Sequence, residues 1–209
     1  MIQIIINILL SYLIGSISGS IVLGKIKGID IRKMGSGNAG GTNAFRTAGS
    51  LFALGVIIID VLKGVIAVLY ISQFNFTNSL GMISNELLII NCAVAAVLGH
   101  VYPIYHNFKG GKGAGTLIGI IAVLFPQCIA YSLIGWLVTL VLTGFVGLST
   151  IIAGIVLVIT GYFFNIHLLY LYFSIAMAGF IIFTHRSNII RMYNGSENQF
   201  KKIMIFKKD

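Results

Sequence analysis

Charged residues are scarce in this chain, and one long stretch contains none. Only 9% of the 209 residues are charged, and positions 114–184 carry no Lys, Arg, Asp or Glu. Ordinary globular domains are about a quarter charged. A transmembrane helix needs roughly 20 predominantly apolar residues, and several runs here are long enough. The sequence therefore predicts an integral membrane protein without an independent soluble domain.

Cysteine and carboxylate side chains are too few for several kinds of chemistry. Cys92 and Cys128 lie far apart inside apolar segments, which favours two buried side chains over a disulfide or a metal site. The five acidic residues show no metal-ligand spacing and no pairing for acid–base catalysis. We therefore predict that the protein uses no metal and no cofactor.

The apolar runs predict seven transmembrane helices. No basic region precedes the amino-terminal run, at about 2–23, and no cleavage site follows it, so it is predicted to be a span rather than a signal peptide. Two further spans are predicted at about 51–71 and 87–101. The stretch 114–183 is too long for two straight helices. Four short helices are predicted there, separated by breaks near 125–126, 143–147 and 161–165.

The distribution of basic residues predicts the orientation. Every Lys and Arg except Lys63 falls into one of three polar stretches, residues 25–46, 99–113 and 185–208. Lys and Arg are enriched in short cytoplasmic loops, so all three stretches are predicted to be cytoplasmic. Residues 72–86 lack both and are predicted to be external. The predicted fold is a single all-α polytopic domain over residues 1–209, with its amino terminus outside and its carboxyl terminus cytoplasmic.

The formal net charge of +9 indicates an anionic partner. The basic residues are flanked by apolar spans and lack interleaved aromatic residues on which bases could stack, so nucleic acid is not a predicted partner. Anionic lipid of the bilayer and small anionic substrates are the predicted partners.

The first polar stretch has the composition of an anion-binding loop. Residues 35–46 combine clustered glycines with a Ser, a Thr and two Asn residues, and they end on Arg46. Glycines allow consecutive backbone N–H groups to face one anion, and polar side chains add donors. The alternative is a flexible loop between helices. Because loops commonly carry function, we predict a phosphate-binding loop.

The second polar stretch contains a glycine-rich run around Lys112. It is not a nucleotide-binding loop, because the G-x-x-x-x-G-K-[ST] spacing fails, no strand precedes it and no acidic residue follows for magnesium. We predict that Lys112 and the neighbouring glycine amides contact a phosphate or an acyl phosphate. The alternative is that Lys109 and Lys112 only anchor the loop on the cytoplasmic side.

The third polar stretch places His185, Asn188 and Arg191 at three-residue intervals, along a predicted continuation of the last transmembrane helix. Such residues share a broad face of a helix. A His, an amide and an Arg suit a site that handles a phosphate and a proton. The alternative is an ordinary helix end, where the helix dipole favours cations.

Asp60 and Lys63 lie within the second predicted span, three residues apart. Charges inside a membrane are costly and are functional or paired by default. We favour a mutually paired structural brace over direct catalysis, because pairing explains the spacing without a substrate.

Together the three polar stretches and Asp60-Val61-Leu62-Lys63-Gly64 resemble the bacterial acyl-phosphate:glycerol-3-phosphate acyltransferases of the PlsY type. The joint occurrence of the motifs, in order, is far more specific than any one of them. The matching positions are Gly35-Ser36-Gly37-Asn38, Thr42-Asn43, Arg46, Gly99-His100, Phe108-Lys109-Gly110-Gly111-Lys112-Gly113, His185-Arg186-Ser187-Asn188-Ile189-Ile190-Arg191, Gly195 and Glu197.

The resemblance implies a seven-helix enzyme of the bacterial cytoplasmic (inner) membrane. It would move a fatty acyl group from acyl phosphate to the sn-1 hydroxyl of glycerol 3-phosphate, giving lysophosphatidic acid and phosphate in the first step of phospholipid synthesis. Family members use neither acyl-CoA nor acyl carrier protein directly and need no metal. A soluble enzyme that produces acyl phosphate would be the source of the donor.

By position, the resemblance also implies the site residues. The catalytic set is Ser36, Arg46, Lys112, His185 and Asn188. The glycines of 110–113 would shape the glycerol-phosphate pocket, and Glu197 would support the third motif. The full substrate-binding set is Gly37, Asn38, Thr42, Asn43, Gly110, Gly111, Gly113, Ser149, Thr150, Arg191 and Glu197.

The chain departs from the family pattern in the turn before the sixth predicted helix. Relatives usually have an Arg and two serines there, whereas this chain has Gly144 and Gly147 at the positions of the Arg and the first Ser. Ser149 or Thr150 is left to supply a hydroxyl at the site.

An acyl phosphate is already activated, so the expected mechanism is direct transfer by proximity and electrostatic positioning, without an acyl-enzyme. Either a substrate phosphate oxygen or His185 would accept the proton of the attacking hydroxyl. The alternative function is a transporter of small anions or phosphate esters. Helix breaks near Pro126 and Gly147 are typical of transporters, but the confinement of polar groups to one side of the membrane favours the enzyme.

Overall fold

The computed structural model describes residues 2–74 and 84–205, and all regular structure in these residues is helical. The all-α prediction is confirmed. Residues 75–83 of the predicted external loop lie outside the described residues. The described α-helices are α1 (Ile2–Gly15), α2 (Gly19–Lys27), α3 (Gly41–Ala48), α4 (Ser50–Leu69), α5 (Asn85–Val101), α6 (Ala114–Leu124), α7 (Pro126–Thr143), α8 (Val146–Phe163), α9 (Leu168–Thr184) and α10 (Arg186–Tyr193). Short 3₁₀ turns lie at Ile31–Lys33, Ile71–Gln73, Ile104–His106 and Lys201–Ile203.

Four helices of the described residues are long and apolar enough to cross a membrane: α7, α8, and α4 and α5 with the 3₁₀ turns that follow them. Two bent pairs, α1 with α2 at 43° and α9 with α10 at 51°, raise the number to six if each pair is one span. The remaining predicted span, α6, has 11 residues. At 1.5 Å per residue it extends over only about half of the roughly 30 Å hydrocarbon layer.

Two predicted helices are bent where the prediction had them continuous. The span predicted at 2–23 breaks at residues 16–18, inside the sequence Gly-Ser-Ile-Ser-Gly, and helices commonly kink at Gly and Ser. The last span ends at Thr184, and the third polar stretch begins a new helix at Arg186. The breaks predicted near 125–126, 143–147 and 161–165 are confirmed, as are the four helices they separate.

The chain forms two compact units, residues 1–124 and 125–209. In the first unit, α1 and α5 pack backbone against backbone. A Cβ added at Gly15 would overlap the backbone of Ala96, and one added at Gly99 would overlap the backbone of Tyr12. Small residues at helix contacts are typical of membrane proteins, and here two glycines allow the close approach.

A small apolar core holds the first polar stretch against α4. It contains a residue from each side of the glycine-rich loop, Ile31 before it and Ala44 after it. Burial of a large aliphatic side chain contributes about 1.5–3 kcal/mol, so both ends of the loop are fixed although the loop itself is polar. The other buried members are Phe52, Ala53 and Val56.

In the second unit, aromatic residues and one tight turn fix the helix ends. Phe125 is fully buried, and its ring centroid lies 5.8 Å from that of Tyr170 and 6.4 Å from that of Phe173. Pro126 then starts α7, at the position where its missing N–H costs nothing. The turn into α8 uses Gly144 with φ +70°, a left-handed conformation that favours glycine.

Candidate active site

Asn43 organises the loop of the first polar stretch. It is 1% exposed, and its Nδ2 donates to the carbonyls of Ile31, Met34 and Asn38 at 3.0–3.1 Å. Its Oδ1 accepts the backbone N–H of Ser36 at 2.9 Å. Asparagine suits this position because one short side chain carries both donors and an acceptor. The amide of Asn43 is thus bound to the backbone of the loop that follows Ile31.

Ser36 is exposed at the surface of the loop, but the backbone N–H groups of Ser36 and Gly37 form hydrogen bonds within the protein. The N–H of Ser36 donates to Asn43, and the N–H of Gly37 donates to the carbonyl of Met34 at 3.0 Å. The loop already uses both donors, so the predicted contact of these amides with an anion would require them to exchange their present partners. Binding of an anion here falls more heavily on side chains.

The charged residues at the start of this stretch pair with each other. The guanidinium of Arg32 donates from Nε to Oδ1 of Asp30 and from its terminal nitrogen to Oδ2, both at 3.1 Å. These bonds from Arg32 lower the pKa of the Asp30 carboxyl, with desolvation opposing the shift. The pair occupies Arg32, and Arg46 is the other arginine of the stretch. Arg46 is half-buried in the last turn of α3, where a cation is favoured by the helix dipole.

Gly110 and Gly111 of the second polar stretch lie against the end of α5. Their N–H groups donate to the carbonyls of Val101 and His100, at 3.2 and 3.1 Å. A Cβ added at Gly111 would overlap the ring of His100, so close approach requires glycine here. A phosphate contact by these two amides, which remains a prediction, would require them to exchange their present backbone partners. The half-buried Lys112 follows directly.

A buried charged cluster, Asp60 with Lys63 and His100, lies within the helices of the first unit. Oδ1 of Asp60 is 3.1 Å from Nζ of Lys63 and 3.6 Å from Nδ1 of His100. All three residues are at most 4% exposed. The predicted pairing of Asp60 with Lys63 is confirmed. His100 was not among the predicted site residues. The one sequence signal that pointed to it was its position where the second polar stretch meets a predicted span.

The same cluster provides hydrogen-bond partners for the backbone groups at the break between α1 and α2. Nζ of Lys63 donates to the carbonyl of Ile17 at 2.7 Å, and the N–H of Gly19 donates to Oδ1 of Asp60 at 3.3 Å. A helix break in a bilayer leaves backbone groups without partners, at a cost of several kcal/mol each. The ion pair thus provides one donor and one acceptor to the broken helix.

In the second unit, His185 lies at the bend between α9 and α10 and is 5% exposed. Its Nδ1 lies 2.8 Å from the carbonyl oxygen of Ile181. A carbonyl only accepts, so Nδ1 carries a hydrogen, and when the ring is neutral its lone pair is then on Nε2. This tautomer can polarise a hydroxyl or accept its proton through Nε2.

Glu197 joins Asn188 and Arg191 of the third stretch. Nδ2 of Asn188 donates to its Oε1 at 2.8 Å, and Nε of Arg191 donates to its Oε2 at 2.6 Å. The Glu197 side chain is 4% exposed. Charge-assisted bonds of this kind are stronger than neutral ones, so Glu197 fixes the orientation of the Asn188 amide.

The hydroxyls of Ser149 and Thr150, which lie near the start of α8, both donate to backbone carbonyls one turn earlier. Ser149 is fully buried, and its Oγ donates to the carbonyl of Phe145 at 2.9 Å. Oγ1 of Thr150 donates to the carbonyl of Val146 at 2.9 Å and accepts from Nε1 of Trp136 at 3.3 Å. Either hydroxyl would have to give up its hydrogen bond to a backbone carbonyl before it could donate to a substrate.

Gly147 contacts the predicted catalytic amide. A Cβ added at Gly147 would lie 2.8–2.9 Å from Cβ, Cγ and Nδ2 of Asn188, which is too close for real atoms. The glycine that departs from the family pattern therefore leaves room for Asn188.

Gly147→Ala is expected to lower kcat by about tenfold or more, because displacement of the Asn188 amide by about 1 Å is enough to cost that in a positioned site. The matched control is Gly154→Ala on the same helix, where the new Cβ would lie 3.6 Å from Ala178 in ordinary contact. That variant should keep wild-type kcat and gain about 0.5–1 kcal/mol of stability from the removal of a helical glycine. Equal kcat in both variants would contradict the role of Gly147.

The predicted catalytic residues thus fall into two sets. Ser36, Arg46 and Lys112 belong to the first unit, and His185 and Asn188 belong to the second. Among residues 2–74 and 84–205, no group of three or more His, Cys, Asp or Glu residues is placed to hold a metal ion.

Comparison with known proteins shows similarity along nearly the whole chain. Residues 5–195 match the family model described as glycerol-3-phosphate acyltransferase. A glycerol-3-phosphate acyltransferase of Fusobacterium nucleatum subsp. nucleatum is 35% identical, with 93% of this chain and 96% of that protein covered. One from Aquifex aeolicus is 36% identical, with 92% and 97% covered. The crystal structure of PlsY, an integral membrane glycerol 3-phosphate acyltransferase, in its glycerol 3-phosphate form matches with a TM-score of 0.85 and 34% identity, over 94% of this chain and 95% of that chain.

Proposed function

Because the chain belongs to the PlsY-type glycerol-3-phosphate acyltransferase family, we propose that it transfers a fatty acyl group from acyl phosphate to the sn-1 hydroxyl of glycerol 3-phosphate. The products are lysophosphatidic acid and inorganic phosphate. The observation that carries the proposal is the third polar stretch, where a buried His185 with a fixed tautomer is followed by the hydrogen-bonded set of Asn188, Arg191 and Glu197. Such a set suits a reaction that moves a proton and handles phosphate.

In this reaction the hydroxyl oxygen of glycerol 3-phosphate forms a bond to the acyl carbon, and the bond from that carbon to the phosphate oxygen breaks. The hydroxyl proton passes to Nε2 of His185 or directly to a phosphate oxygen of the substrate. No acyl-enzyme forms, since the donor is already activated. Proximity of the two substrates can contribute about 7–11 kcal/mol to the lowering of the barrier.

Recognition of the substrate phosphates falls to cationic side chains. The amides of Ser36, Gly37, Gly110 and Gly111 already donate within the protein, which favours side chains as the main contacts of an anion. We assign this role to Arg46 and Lys112, with the exposed hydroxyl of Ser36 as a further donor. Arg binds a phosphate with two parallel bonds, whereas Lys acts as a point charge.

The proposed location is the bacterial inner membrane, with seven crossings, the amino terminus outside and the basic stretches in the cytoplasm. The confinement of every Lys and Arg except Lys63 to three stretches supports this topology. A membrane-impermeant maleimide should label Lys201→Cys in inside-out vesicles and leave it unlabelled in intact cells. Labelling in intact cells would overturn the orientation.

The direct test is release of inorganic phosphate from palmitoyl phosphate by the purified protein, with and without glycerol 3-phosphate. We expect release that requires glycerol 3-phosphate, equals lysophosphatidic acid formation and is largely lost in Lys112→Ala. The control is Lys202→Ala, an exposed lysine of the carboxyl-terminal 3₁₀ turn, which should keep activity. A folded protein that releases no phosphate would contradict the proposal.

The second candidate is transport of a phosphate ester. The observation in its favour is the break between α1 and α2 with charged residues beside it, since discontinuous helices commonly form transporter sites. Counterflow of labelled glycerol 3-phosphate in proteoliposomes, without phosphate release from palmitoyl phosphate, would favour the transporter.

A further inference from the structure

His100 has no part in repairing the helix break. The carbonyl of Ile17 and the N–H of Gly19 are bound by Lys63 and Asp60 alone. Nδ1 of His100 stands 3.6 Å from Asp60 and makes no hydrogen bond within the described residues. A buried polar group without a hydrogen bond costs free energy. The brace formed by Asp60 and Lys63 does not explain why a histidine is buried beside them, so the ring must have another role.

The ring of His100 supports the run of residues that contains Lys112. Gly111 lies so close to the ring that a Cβ there would overlap Nε2, and its N–H is bound to the backbone of the same residue. On the far side of Lys112, a Cβ added at Gly115 would lie 3.0 Å from Cβ of Asp60. The residues on both sides of Lys112 thus rest on members of one buried cluster.

The beginning of the same stretch is fixed by the end of α1. Oη of Tyr12 donates to the carbonyl of Tyr102 at 2.7 Å, and the N–H of Ile104 donates to Oγ of Ser16 at 3.4 Å. Ser16 lies at the helix break that Lys63 stabilises through Ile17. The break therefore holds one end of the second stretch, and the cluster holds the other.

We propose that Asp60, Lys63 and His100 are positioning residues, which place Lys112 and so set the affinity for glycerol 3-phosphate. The inference rests on the proposed function, which assigns Lys112 to a substrate phosphate. The geometric link is short: the ring of His100 lies beside Asp60, Gly111 packs against the ring, and Gly111 precedes Lys112. None of the three residues needs to touch the substrate.

A double-mutant cycle between His100→Ala and Gly111→Ala tests the link. His100→Ala should raise the KM for glycerol 3-phosphate by about tenfold, and the KM for palmitoyl phosphate by less than about twofold, because misplacement of a binding group affects its own ligand. Gly111→Ala should also raise the KM for glycerol 3-phosphate. The double variant should be no worse than the poorer single variant, since removal of the ring makes room for the new Cβ. Multiplying effects would show independent action and overturn the proposal.

Cys92→Ala is the control for general destabilisation, because it deletes a fully buried atom from α5 two turns before His100. It should lower the thermal stability without a change in either KM. If His100→Ala does not fold, His100→Asn replaces it in the cycle, since its amide keeps a polar group beside Asp60 while the distal ring atoms next to Gly111 are removed. A wild-type KM for glycerol 3-phosphate in the His100 variant refutes the inference, whereas an inactive wild-type protein refutes the proposed function instead.

Discussion

His185→Ala is expected to lower kcat by about 10²- to 10⁴-fold, the range that a positioned proton acceptor contributes. The KM for glycerol 3-phosphate should change little, because the ring is assigned to accept the hydroxyl proton and not to bind the phosphate. The measurement is steady-state phosphate release from palmitoyl phosphate at saturating glycerol 3-phosphate. A general collapse of the protein would instead lower the amount of active enzyme and the thermal stability together.

Two substitutions at the same position separate the nitrogen atoms of the ring. His185→Asn keeps an amide donor near the Nδ1 position, where the carbonyl of Ile181 accepts, but it has no atom at the Nε2 position. His185→Gln can place a polar atom near Nε2. If Nε2 accepts the proton, the Asn and Gln variants should both be as poor as the Ala variant, because an amide is not protonated near neutral pH. Partial recovery in the Gln variant alone would show that Nε2 orients the hydroxyl without taking its proton.

The matched control is the other histidine of the second unit. His167 lies at the opposite end of α9, where its Nδ1 accepts the N–H of Leu169 at 3.4 Å as a helix cap. His167→Ala should keep wild-type kcat, with the modest loss of stability, about 0.5–2 kcal/mol, of a lost cap. Retention of wild-type kcat in His185→Ala would remove His185 from the mechanism and leave the substrate phosphate as the proton acceptor.

The helices were predictable because their signals are local. Apolar run length, Pro126 and the glycines after Thr143 fix where helices begin and end, and they require no knowledge of distant residues. The bend at residues 16–18 has a local signal in its Gly and Ser residues. Its stability depends on Lys63 and Asp60, however, which lie more than 40 residues away in the chain.

The direction of backbone amides was not predictable from composition. Glycines in residues 35–41 and 110–113 suggested donors open to an anion. Whether an amide is open depends on the acceptor it meets in the fold, and here the acceptors are Asn43 and the end of α5. The same loop composition therefore permits two opposite roles, in which the glycines either bind a ligand or allow close packing. His100 was missed for the same reason, because its partner Asp60 lies in another helix.

Lys63→Met is expected to lower the free energy of unfolding by about 3–5 kcal/mol, the usual cost of removing one partner from a buried ion pair. Asp60 is 2% exposed and lies within a candidate membrane span, so its charge would lose its nearest counter-charge without gaining water. The carbonyl of Ile17 would also lose the Nζ donor at the helix break. The measurement is equilibrium unfolding of the protein in mixed micelles.

The double variant Asp60→Asn/Lys63→Met decides whether the pair or its members stabilise the fold. Asparagine keeps an oxygen that can accept the N–H of Gly19, and the double variant contains no unpaired charge at this position. It should therefore be more stable than Lys63→Met alone, because replacement of a whole buried pair is much less costly than removal of one partner. A double variant less stable than Lys63→Met would mean that the carboxylate of Asp60 stabilises the protein without its lysine, through the amino-terminal dipole of α2 and His100. In that case the cluster would be organised around Asp60, and Lys63 would serve chiefly to satisfy the carbonyl of Ile17.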